Sequence, residues 1–539
     1  MQRFFNTKTH PLRGLSAVLF VLGCAFAMVA SAPAQNILTW HDNNARTGAD
    51  LREKILTPKN VNPKTFGKLF EIHVDGKVDA EPLYVASVEI PHRGKHNVLY
   101  VETENDSAYA FDADTGRLLW RRRLLPAGEK PSGNRGCGQI VPIIGITATP
   151  VISLHTGPHG TIYIVAMSKN ARGQYFQRLY ALDIASGQDE FGGPVTVQAV
   201  YPGDGAETVF QPKQHEERAG LLLLHGVVYT SWSSHCDINP YNGWVIGYNA
   251  RTLRQTAVLK LAPNGSEASI WQSGAGPAAS PQGNIYLLAA NGTFDTKLNR
   301  QGFPAHSDFG NAFLKISTRN GRLAVADYFA MHNVTEENRT DQDLGSGGAL
   351  VLPAMRNAAG KLLRLAVGAG KDQNIYLVNR ENMGKFNPHA NLIYQEIHHG
   401  LGGREFAAPA YFDGRLYYGA VGDSIREFRF KNARLIAKPA SKTAMRFVYP
   451  GATPSISANG NRDAIVWAAE NGYPAVLYAF DAHNLAHELY SSNQAPRGRD
   501  HFGNGNKFIT PLIAHGKVYV GTTRGVGVFG LLRHAAARP

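Results

Sequence analysis

The feature that most limits how this chain can fold is a strand–turn–strand pattern that recurs along its length. The most regular copy spans residues 97–120, where two apolar strands enclose a polar turn and an Asp-x-x-Thr-Gly turn leads into a third strand. Weaker copies of the central strand occupy residues 179–187, 245–249, 313–317, 375–379 and 477–484. Internal repetition of this kind indicates a fold built from one repeated supersecondary unit.

A second element precedes each copy and sets the number of repeats. It is a small or polar residue, often followed by Pro, then an apolar pair and a strand rich in Val, Ile and Tyr. Pro is tolerated here because the first residue of a strand need not donate a hydrogen bond to the sheet. Eight such anchors occur, at Pro82, Pro150, Gly220, Pro277, Gly347, Pro409, Pro454 and Pro511.

Eight four-stranded units predict an all-β fold, an eight-bladed β-propeller of antiparallel blades over residues 66–532. A single four-stranded sheet cannot bury both of its faces, whereas a ring of sheets buries them and removes long exposed edges. The last unit supplies only three strands, at residues 510–514, 518–521 and 526–531. We therefore expect Phe66–His73 to be the outer strand of the last blade and to close the ring.

The first 34 residues have the layout of a secretory signal peptide. Basic residues precede an apolar run over residues 15–30, and a small-x-small cleavage site ends at Ala34. This layout predicts a periplasmic or secreted protein, and the run is too short for a membrane span. The alternative is a lipoprotein, because residues 21–24 weakly resemble the signal that places a lipid on Cys24.

The remaining composition narrows the range of partners. The formal net charge is +13, but the basic residues are dispersed and no nucleic-acid-binding motif occurs, so we expect no nucleic-acid partner. Residues 35–65 are predicted to form an extension that packs on the propeller, and residues 533–539 a short tail. We expect a monomer that binds a small molecule, a glycan or a protein.

The complete repeat resembles the tryptophan-docking motif of the quinoprotein alcohol dehydrogenase-like propellers, which has the form Ala-x-Asp-x-x-Thr-Gly-x-x-x-Trp. The matching residues are Ala110, Asp112, Thr115, Gly116 and Trp120, and residues 181–191 match with conservative changes. Over residues 36–532 the chain is similar to exported bacterial pyrroloquinoline-quinone-repeat proteins. The resemblance implies the propeller fold but carries no single activity, because one fold serves many functions.

Enzymes of this superfamily bind pyrroloquinoline quinone (PQQ) and calcium beneath a ring formed by two adjacent cysteines, and some add a Cys-x-x-Cys-His haem site. The present sequence has neither cysteine motif, since Cys137 and Cys236 are far apart. The sequence therefore favours a non-catalytic exported propeller that binds a ligand. Two alternatives stay open: a PQQ- and calcium-dependent sugar or alcohol dehydrogenase, and a cell-envelope scaffold, for which lipid on Cys24 would be expected.

Propeller geometry indicates which face would carry a site. In a blade with strands A to D, the B–C turns and D–A connections surround the channel on one face, and in the enzymes this is the cofactor face. Ionisable and amide residues are frequent there, although Asp and Asn also occur in tight turns for backbone reasons alone. The candidate cofactor-binding residues are Glu104, Asp106, Trp271, Lys371, Asp372, Asp423 and Arg524. The candidate calcium ligands are Asp106, Asp237 and Asp295.

The roles expected of these residues follow from their chemistry. Lys371 and Arg524 would pair with the carboxylates of a quinone. Trp271 is either an aromatic platform for a flat ligand or a residue that packs between blades. The same geometry places Cys137 and Cys236 on this face, in loops of neighbouring blades. We expect a disulfide that staples the mouth of the channel, and the alternative is two free thiols.

Overall fold

The structure is a computed structural model that describes residues 35–204 and 207–532. The expected signal peptide, Cys24 and the C-terminal tail lie outside the described residues. Eight antiparallel sheets follow one another along the chain as the blades of a propeller. This arrangement confirms the predicted all-β fold and the number of blades.

Each blade has four principal strands, A to D, and those of blades 1 to 7 follow one another in chain order. The strands of blades 1 to 4 are Leu83–Ile90, Gly94–Thr103, Ser107–Asp112 and Leu118–Arg123; Val151–Ser153, Thr161–Asn170, Tyr175–Asp183 and Val195–Thr196; Leu222–Leu224, Val227–Ser234, Trp244–Asn249 and Gln255–Lys260; and Ala278–Ala279, Asn284–Leu288, Ala312–Ser317 and Ala324–Ala330.

Blades 5 to 8 repeat this pattern, with strand D of blade 6 divided into two short pieces and strand D of blade 8 taken from the start of the chain. Their strands are Leu350–Val351, Leu365–Ala369, Ile375–Asn379 and Gln395–Ile397; Ala410–Phe412, Arg415–Tyr418, Arg426–Lys431, Arg434–Leu435 and Ser441–Lys442; Ser455–Asn459, Arg462–Glu470, Val476–Asp481 and Glu488–Ser491; and Leu512–Ala514, Lys517–Gly521, Gly525–Leu531 and Phe66–His73.

The remaining elements are short and lie in the connections between these strands. The additional strands are Ala49–Asp50, Glu129–Gly133, Ile143–Ile144, Val200–Pro202, Glu207–Val209, His215–Glu217, Met355–Arg356 and Leu362–Leu363. One α-helix, Val334–Arg339, and the 3₁₀ turns Gln272–Gly274, Arg319–Gly321, Leu344–Ser346, Ser492–Gln494 and Pro496–Gly498 complete the described residues. No helix among them is long and apolar enough to cross a membrane.

The ring closes through the two ends of the propeller chain, as predicted. Strand Phe66–His73 pairs antiparallel with Gly525–Leu531, with Phe66 opposite Leu531 and His73 opposite Gly525. Blade 8 therefore takes its outer strand from the N-terminal side of blade 1. This pairing joins the first and last segments of the propeller and gives the last blade its fourth strand.

The hydrophobic core consists of layers between consecutive blades. Eight large clusters of buried apolar side chains occur among the described residues, and each joins two neighbouring blades. The blade-1 and blade-2 layer, for example, contains Tyr100 and Ile164, which are both fully buried. Each sheet thus buries both faces against its neighbours, which explains the nearly continuous apolar strands of the repeat.

The tryptophan-docking motif joins adjacent blades. Within blade 1, Asp112 Oδ1 accepts hydrogen bonds from the backbone N–H and the hydroxyl of Thr115, both at 2.7 Å, and so fixes the turn. Trp120 Nε1 donates to the carbonyl oxygen of Ile184 in blade 2 at 3.0 Å. A Cβ atom at Gly187 would lie 2.8 Å from the Trp120 ring, so a side chain there would clash with the docked ring.

The chain segment before the propeller crosses its channel and contacts all eight blades. Ile37 pairs with Tyr84 of blade 1, and the Asn44 amide donates to the Leu223 carbonyl of blade 3 at 2.8 Å. Gln35 Oε1 accepts from His515 N of blade 8 at 2.7 Å. For the other five blades, backbone carbonyl groups of the segment accept hydrogen bonds from the N–H groups of Ile152, Ala279, Val351, Tyr411 and Ile456.

Arg46 is the central side chain of this segment. It is fully buried, and its guanidinium donates to Thr39 Oγ1, the Trp40 carbonyl, the Pro277 carbonyl and the Leu221 carbonyl at 2.7 to 3.1 Å. These bonds link the segment to blades 3 and 4. The segment is therefore held against the inner strands by a buried guanidinium whose three nitrogen atoms all donate hydrogen bonds.

Candidate functional site

A solvent-open pocket with a cavity volume of about 70 Å³ lies on the face formed by the B–C turns and the D–A connections. The D–A connections that lead into blades 2 to 8 contribute Gln139, Arg218, Trp271, Ser273, Asp341, Asp343, Ser346, Phe406, Tyr449 and Phe508. The B–C segments of blades 3, 4 and 5 contribute Asp237, Tyr241, Asn291 and Lys371. The pocket thus draws on seven blades, and its side chains are aromatic, acidic, basic and amide.

A charged group on one wall centres on Lys371. Its Nζ lies 2.6 Å from Asp341 Oδ1 and 3.6 Å from Asp343 Oδ2. Burial opposes the charge on Lys371, but the two carboxylates outweigh burial and raise the pKa of the amine. Burial also raises the pKa of the Asp343 carboxyl to about 6, although Lys371 acts in the opposite direction. Asp343 is therefore poised to gain or lose a proton near neutral pH.

Two oxygen atoms of this wall have no hydrogen-bond partner. The Asn291 amide nitrogen donates to Asp341 Oδ1 at 2.9 Å, but Asn291 Oδ1 accepts nothing from the described residues. Asp343 Oδ1 is likewise buried and without a partner among them. Buried polar atoms are normally paired with protein groups or with ordered water, so each of these two oxygens is available to a water molecule or a ligand in the pocket.

Arg218 also lines the pocket and lies against aromatic rings. Its guanidinium carbon is 4.3 Å from the centroid of Phe508 and 6.0 Å from that of Trp271. One terminal nitrogen donates to Gln139 Oε1, whereas Nη2 is buried and has no partner among the described residues. The pocket therefore offers a desolvated cation with an unused donor next to the face of a tryptophan.

The backbone that carries Trp271 is held in an unusual conformation. Gln272 and Ser273 both have positive φ angles, of 45° and 50°. The Ser273 hydroxyl donates to the Ser346 carbonyl at 2.7 Å, and the Ser346 hydroxyl lies 2.7 Å from the Glu405 carbonyl. Such backbone strain persists only where surrounding contacts maintain it, and it is concentrated at binding sites.

A disulfide lies at the rim of the pocket. Cys137 and Cys236 are joined, with their Cα atoms 5.6 Å apart. Gln139, two residues after Cys137, and Asp237, directly after Cys236, both line the pocket. The bond therefore ties the D–A connection of blade 2 to the B–C segment of blade 3 at the mouth of the channel.

The structure brings three of the sequence-predicted site residues into this pocket: Asp237, Trp271 and Lys371. Asp237 Oδ1 accepts a hydrogen bond from the Tyr241 hydroxyl at 2.9 Å. These residues stand on loops of three successive blades, 3, 4 and 5.

Two other predicted residues are buried in blade 1, away from the pocket lining. Glu104 accepts hydrogen bonds from Gly145 N at 2.6 Å and from Thr147 Oγ1 at 2.8 Å, and so anchors the connection to blade 2. Asp106 is fully buried, and both of its carboxylate oxygens lack a partner among the described residues. Burial raises the pKa of both carboxyls well above their ordinary values.

The remaining predicted residues also lie outside this pocket. Asp372 accepts a hydrogen bond from the Tyr376 hydroxyl at 2.5 Å, and Asp423 accepts from Gly402 N at 2.8 Å and pairs with Arg426 at 2.6 Å. These two acids stabilise their own loops, which is the backbone role that Asp often has in turns.

Arg524 lines a second pocket on the same face. Asp295 accepts backbone hydrogen bonds from Lys297 and His306 within the long B–C segment of blade 4. The three candidate calcium ligands, Asp106, Asp237 and Asp295, are therefore not brought together. Within residues 35–204 and 207–532, no three His, Cys, Asp or Glu side chains form a group that could hold a metal ion.

Several lining residues were not singled out from the sequence as site candidates. They are Gln139, Arg218, Tyr241, Asn291, Asp341, Asp343, Phe406, Tyr449 and Phe508. Most of them precede a strand-A anchor. The sequence signal that could have identified these residues is a polar or aromatic residue shortly before a strand-A anchor, because the D–A connections of a propeller surround the channel mouth.

Comparison with solved structures identifies proteins of similar fold. A quinohemoprotein alcohol dehydrogenase from Pseudomonas putida HK5 matches with a TM-score of 0.59 and 13% identity, over 94% of this chain and 82% of that chain. The quinohemoprotein alcohol dehydrogenase from Comamonas testosteroni matches with a TM-score of 0.58 and 13% identity, over 94% and 81%. A europium-containing methanol dehydrogenase matches with a TM-score of 0.56 and 11% identity, over 93% and 99%.

No protein-family model and no curated protein matches the sequence. At 11 to 13% identity, the structural similarity establishes the fold and leaves the activity of this chain to its own residues. The repeats, the ring closure and the structural neighbours agree. The chain has the eight-bladed propeller fold of the quinoprotein alcohol dehydrogenases.

Proposed function

We propose that this protein is a binding protein whose channel-face pocket takes a small, planar ligand with anionic groups. One observation carries the proposal: Arg218 Nη2, Asn291 Oδ1 and Asp343 Oδ1 are all buried at the pocket and lack a hydrogen-bond partner among the described residues. Leaving a buried donor or acceptor unsatisfied costs about 1–3 kcal/mol each. A ligand with both acceptor and donor groups would satisfy all three.

The other lining residues define the class of ligand. Trp271, Phe406 and Phe508 offer aromatic rings, which favour a flat ligand. Arg218 and Lys371 supply positive charge, which favours carboxylate or phosphate groups on the ligand. The Asn291 and Asp343 oxygens would accept hydrogen bonds from ligand hydroxyl or amine groups.

A quinone-dependent dehydrogenase is the second candidate, because PQQ is itself planar and carries carboxylates. The residues present fit it in part: Trp271 would lie against the ring and Arg218 and Lys371 would pair with carboxylates, whereas the described residues bring together no group of acidic side chains suited to calcium. Bound PQQ would supply a two-electron oxidant. Asp343, whose pKa burial raises to about 6, would accept the proton of an alcohol substrate.

One feature separates this pocket from the enzymes that the sequence resembles. Its disulfide joins loops of two blades through Cys137 and Cys236, which are 99 residues apart, instead of closing a ring between adjacent cysteines. We therefore give priority to binding over turnover.

Binding and turnover are separated by one set of measurements on the mature protein. We would record thermal shift and tryptophan fluorescence with PQQ plus calcium, with flavin mononucleotide and with aromatic tricarboxylates, and then dye-linked oxidation of sugars and alcohols. We expect binding of at least one planar anion without turnover. Turnover would establish the second candidate, and the absence of binding by every compound would contradict the proposal.

Matched variants localise the binding. Lys371→Gln and Trp271→Ala are expected to weaken it at least about tenfold, which corresponds to 1.4 kcal/mol. Lys361→Gln is the control, because Lys361 is an exposed lysine of the same blade outside the pocket. Equal effects of the two lysine substitutions would place the ligand elsewhere.

A further inference from the structure

A second pocket lies on the same face of the propeller. It is open to solvent, has a cavity volume of about 380 Å³, and lies among the D–A connections before blades 1, 2 and 8 and the B–C segments of blades 7 and 8. It shares Gln139 with the first pocket. Tyr449 of the first pocket also has its ring centroid 5.4 Å from Lys507 Nζ of the second. The two pockets are therefore neighbours whose linings have only Gln139 in common.

Positive charge predominates in this second pocket. Lys77, Lys507 and Arg524 line it, and no carboxylate does. Lys77 pairs with Asp79 at 3.7 Å, whereas Lys507 and Arg524 form no ion pair with the described residues. Lys507 Nζ has only a long contact of 3.5 Å with the Gly138 carbonyl. Burial lowers the pKa of Lys507, and the nearby Arg218 and Lys77 lower it further. Asp79 acts in the opposite direction on the Lys507 pKa, but neither Lys507 nor Arg524 forms an ion pair with the described residues.

Amide and aromatic groups surround these cations. Gln139, Asn471, Asn504 and Asn506 bring carboxamides to the lining. Tyr473, next to Asn471, is 80% exposed, which is the highest exposure of any large apolar or aromatic side chain among the described residues. A large exposed ring beside polar groups is typical of a binding surface. Amides donate to and accept from hydroxyl groups at the same time, which matches the chemistry of a sugar.

We propose that this second pocket binds an acidic sugar, that is, a pyranose carrying a carboxylate, within a polysaccharide or oligosaccharide. Tyr473 would pack on the apolar C–H face of the ring, and the amides would bond to its hydroxyl groups. Lys507 and Arg524 would pair with the carboxylate. A phosphate polymer would satisfy the cations but would make no use of Tyr473 or the amides, so the sugar is favoured.

The test uses the mature protein and trigalacturonate, with neutral galactotriose and a short polyphosphate as comparison ligands, in isothermal titration calorimetry. We expect trigalacturonate to bind at least about tenfold more tightly than galactotriose, with an affinity that falls as salt rises. Triglucuronate and trimannuronate are tested in parallel, since the structure specifies the carboxylate and not the stereochemistry. Failure of all three acidic trimers to bind would overturn the proposal, and so would polyphosphate that binds more tightly than any of them.

Surface variants assign the interaction to this pocket. Lys507→Gln is expected to lower the affinity for the acidic trimer about tenfold or more, and Tyr473→Ala to lower it severalfold, with no change in thermal midpoint for Tyr473→Ala. Lys95→Gln is the control, because Lys95 is exposed at the start of strand B of blade 1, next to the A–B turn on the opposite face. Unchanged binding by Lys507→Gln or Tyr473→Ala would overturn the assignment.

Binding of the acidic sugar is expected to be independent of the first pocket. Trp271→Ala should leave acidic-sugar binding unchanged, because Trp271 lines only the first pocket of the two. Loss of sugar binding in that variant would show that one ligand occupies the first pocket alone and would overturn the second site. Loss of planar-anion binding alone would concern only the proposed function.

Discussion

Lys371 Nζ lies 3.6 Å from Asp343 Oδ2, in a pocket wall where a lysine of blade 5 meets the acid of the connection that leads into the same blade. The ion pair leaves part of Asp343 unsatisfied. The residue is buried, and its Oδ1 has no hydrogen-bond partner among the described residues. A site that keeps such an atom unsatisfied sacrifices stability for binding, which is a common compromise at functional sites.

Asp343→Asn is therefore expected to stabilise the protein at pH 7 while weakening ligand binding. The raised pKa of Asp343, about 6 against 3.8, means that the folded state disfavours the charged form. Stability from this group is fully present below about pH 4 and declines as the pH rises to about 6. The substitution should raise the free energy of unfolding by about 1–3 kcal/mol at pH 7. Denaturant titrations at pH 4 and 7 measure this, with the exposed Asp463→Asn as control. A loss of stability at pH 7 would contradict it.

Glu102 should make the protein less stable in alkaline solution. It is 1% exposed, both carboxylate oxygens lack a partner among the described residues, and burial raises its pKa to about 8. Because the folded pKa exceeds the unfolded one, its contribution is lost as the pH rises from about 4.5 to about 8.

Glu102→Gln is expected to raise the free energy of unfolding by about 2–4 kcal/mol at pH 8 and by much less at pH 4. Urea unfolding at both values provides the measurement. Glu89→Gln, an exposed change in the same blade, should leave the difference between the two pH values as it is in the wild type. An equal gain for Glu102→Gln at both pH values would rule out titration of this carboxyl as the cause.

Reduction of the Cys137–Cys236 disulfide should destabilise the propeller. The two cysteines are 99 residues apart, and a chain-entropy model assigns about 4–5 kcal/mol to a closed loop of this length. Urea unfolding with and without a reductant measures the loss. The Cys137→Ser/Cys236→Ser double variant should match the reduced protein and should not respond to the reductant. A response of the double variant would trace the effect to something other than this bond.

Arg46→Met should be among the most damaging single substitutions in the chain. The change removes four hydrogen bonds and leaves the carbonyls of Leu221 and Pro277 unsatisfied in the channel. We expect a loss of about 3 kcal/mol or more. The exposed Arg117→Met is the control and should stay within about 0.5 kcal/mol of the wild type. Equal unfolding midpoints for the two variants would mean that the segment across the channel contributes little to stability.

The site could be predicted from the sequence only in part. Asp237, Trp271 and Lys371 line the first pocket, but Asp372 and Asp423 bond within their own loops. A sequence shows that a turn contains an Asp. It does not show whether the carboxylate satisfies local N–H and O–H groups or faces the channel, because that depends on side-chain rotamers and on the neighbouring blade.

The sequence alone determined the propeller, its eight blades and the closure of the ring by Phe66–His73. Strand pairing within blades 1 to 7 is local, so the alternation of side chains and the position of each anchor specify it. The closure is not local, but the last unit has only three strands, which left one place for the strand that precedes the first anchor. Only the tertiary structure decided which side chains meet at the pocket, since its lining runs from Gln139 to Phe508 through loops of seven blades. It also placed the segment along the channel, which contacts six of the eight blades through backbone groups that every sequence possesses.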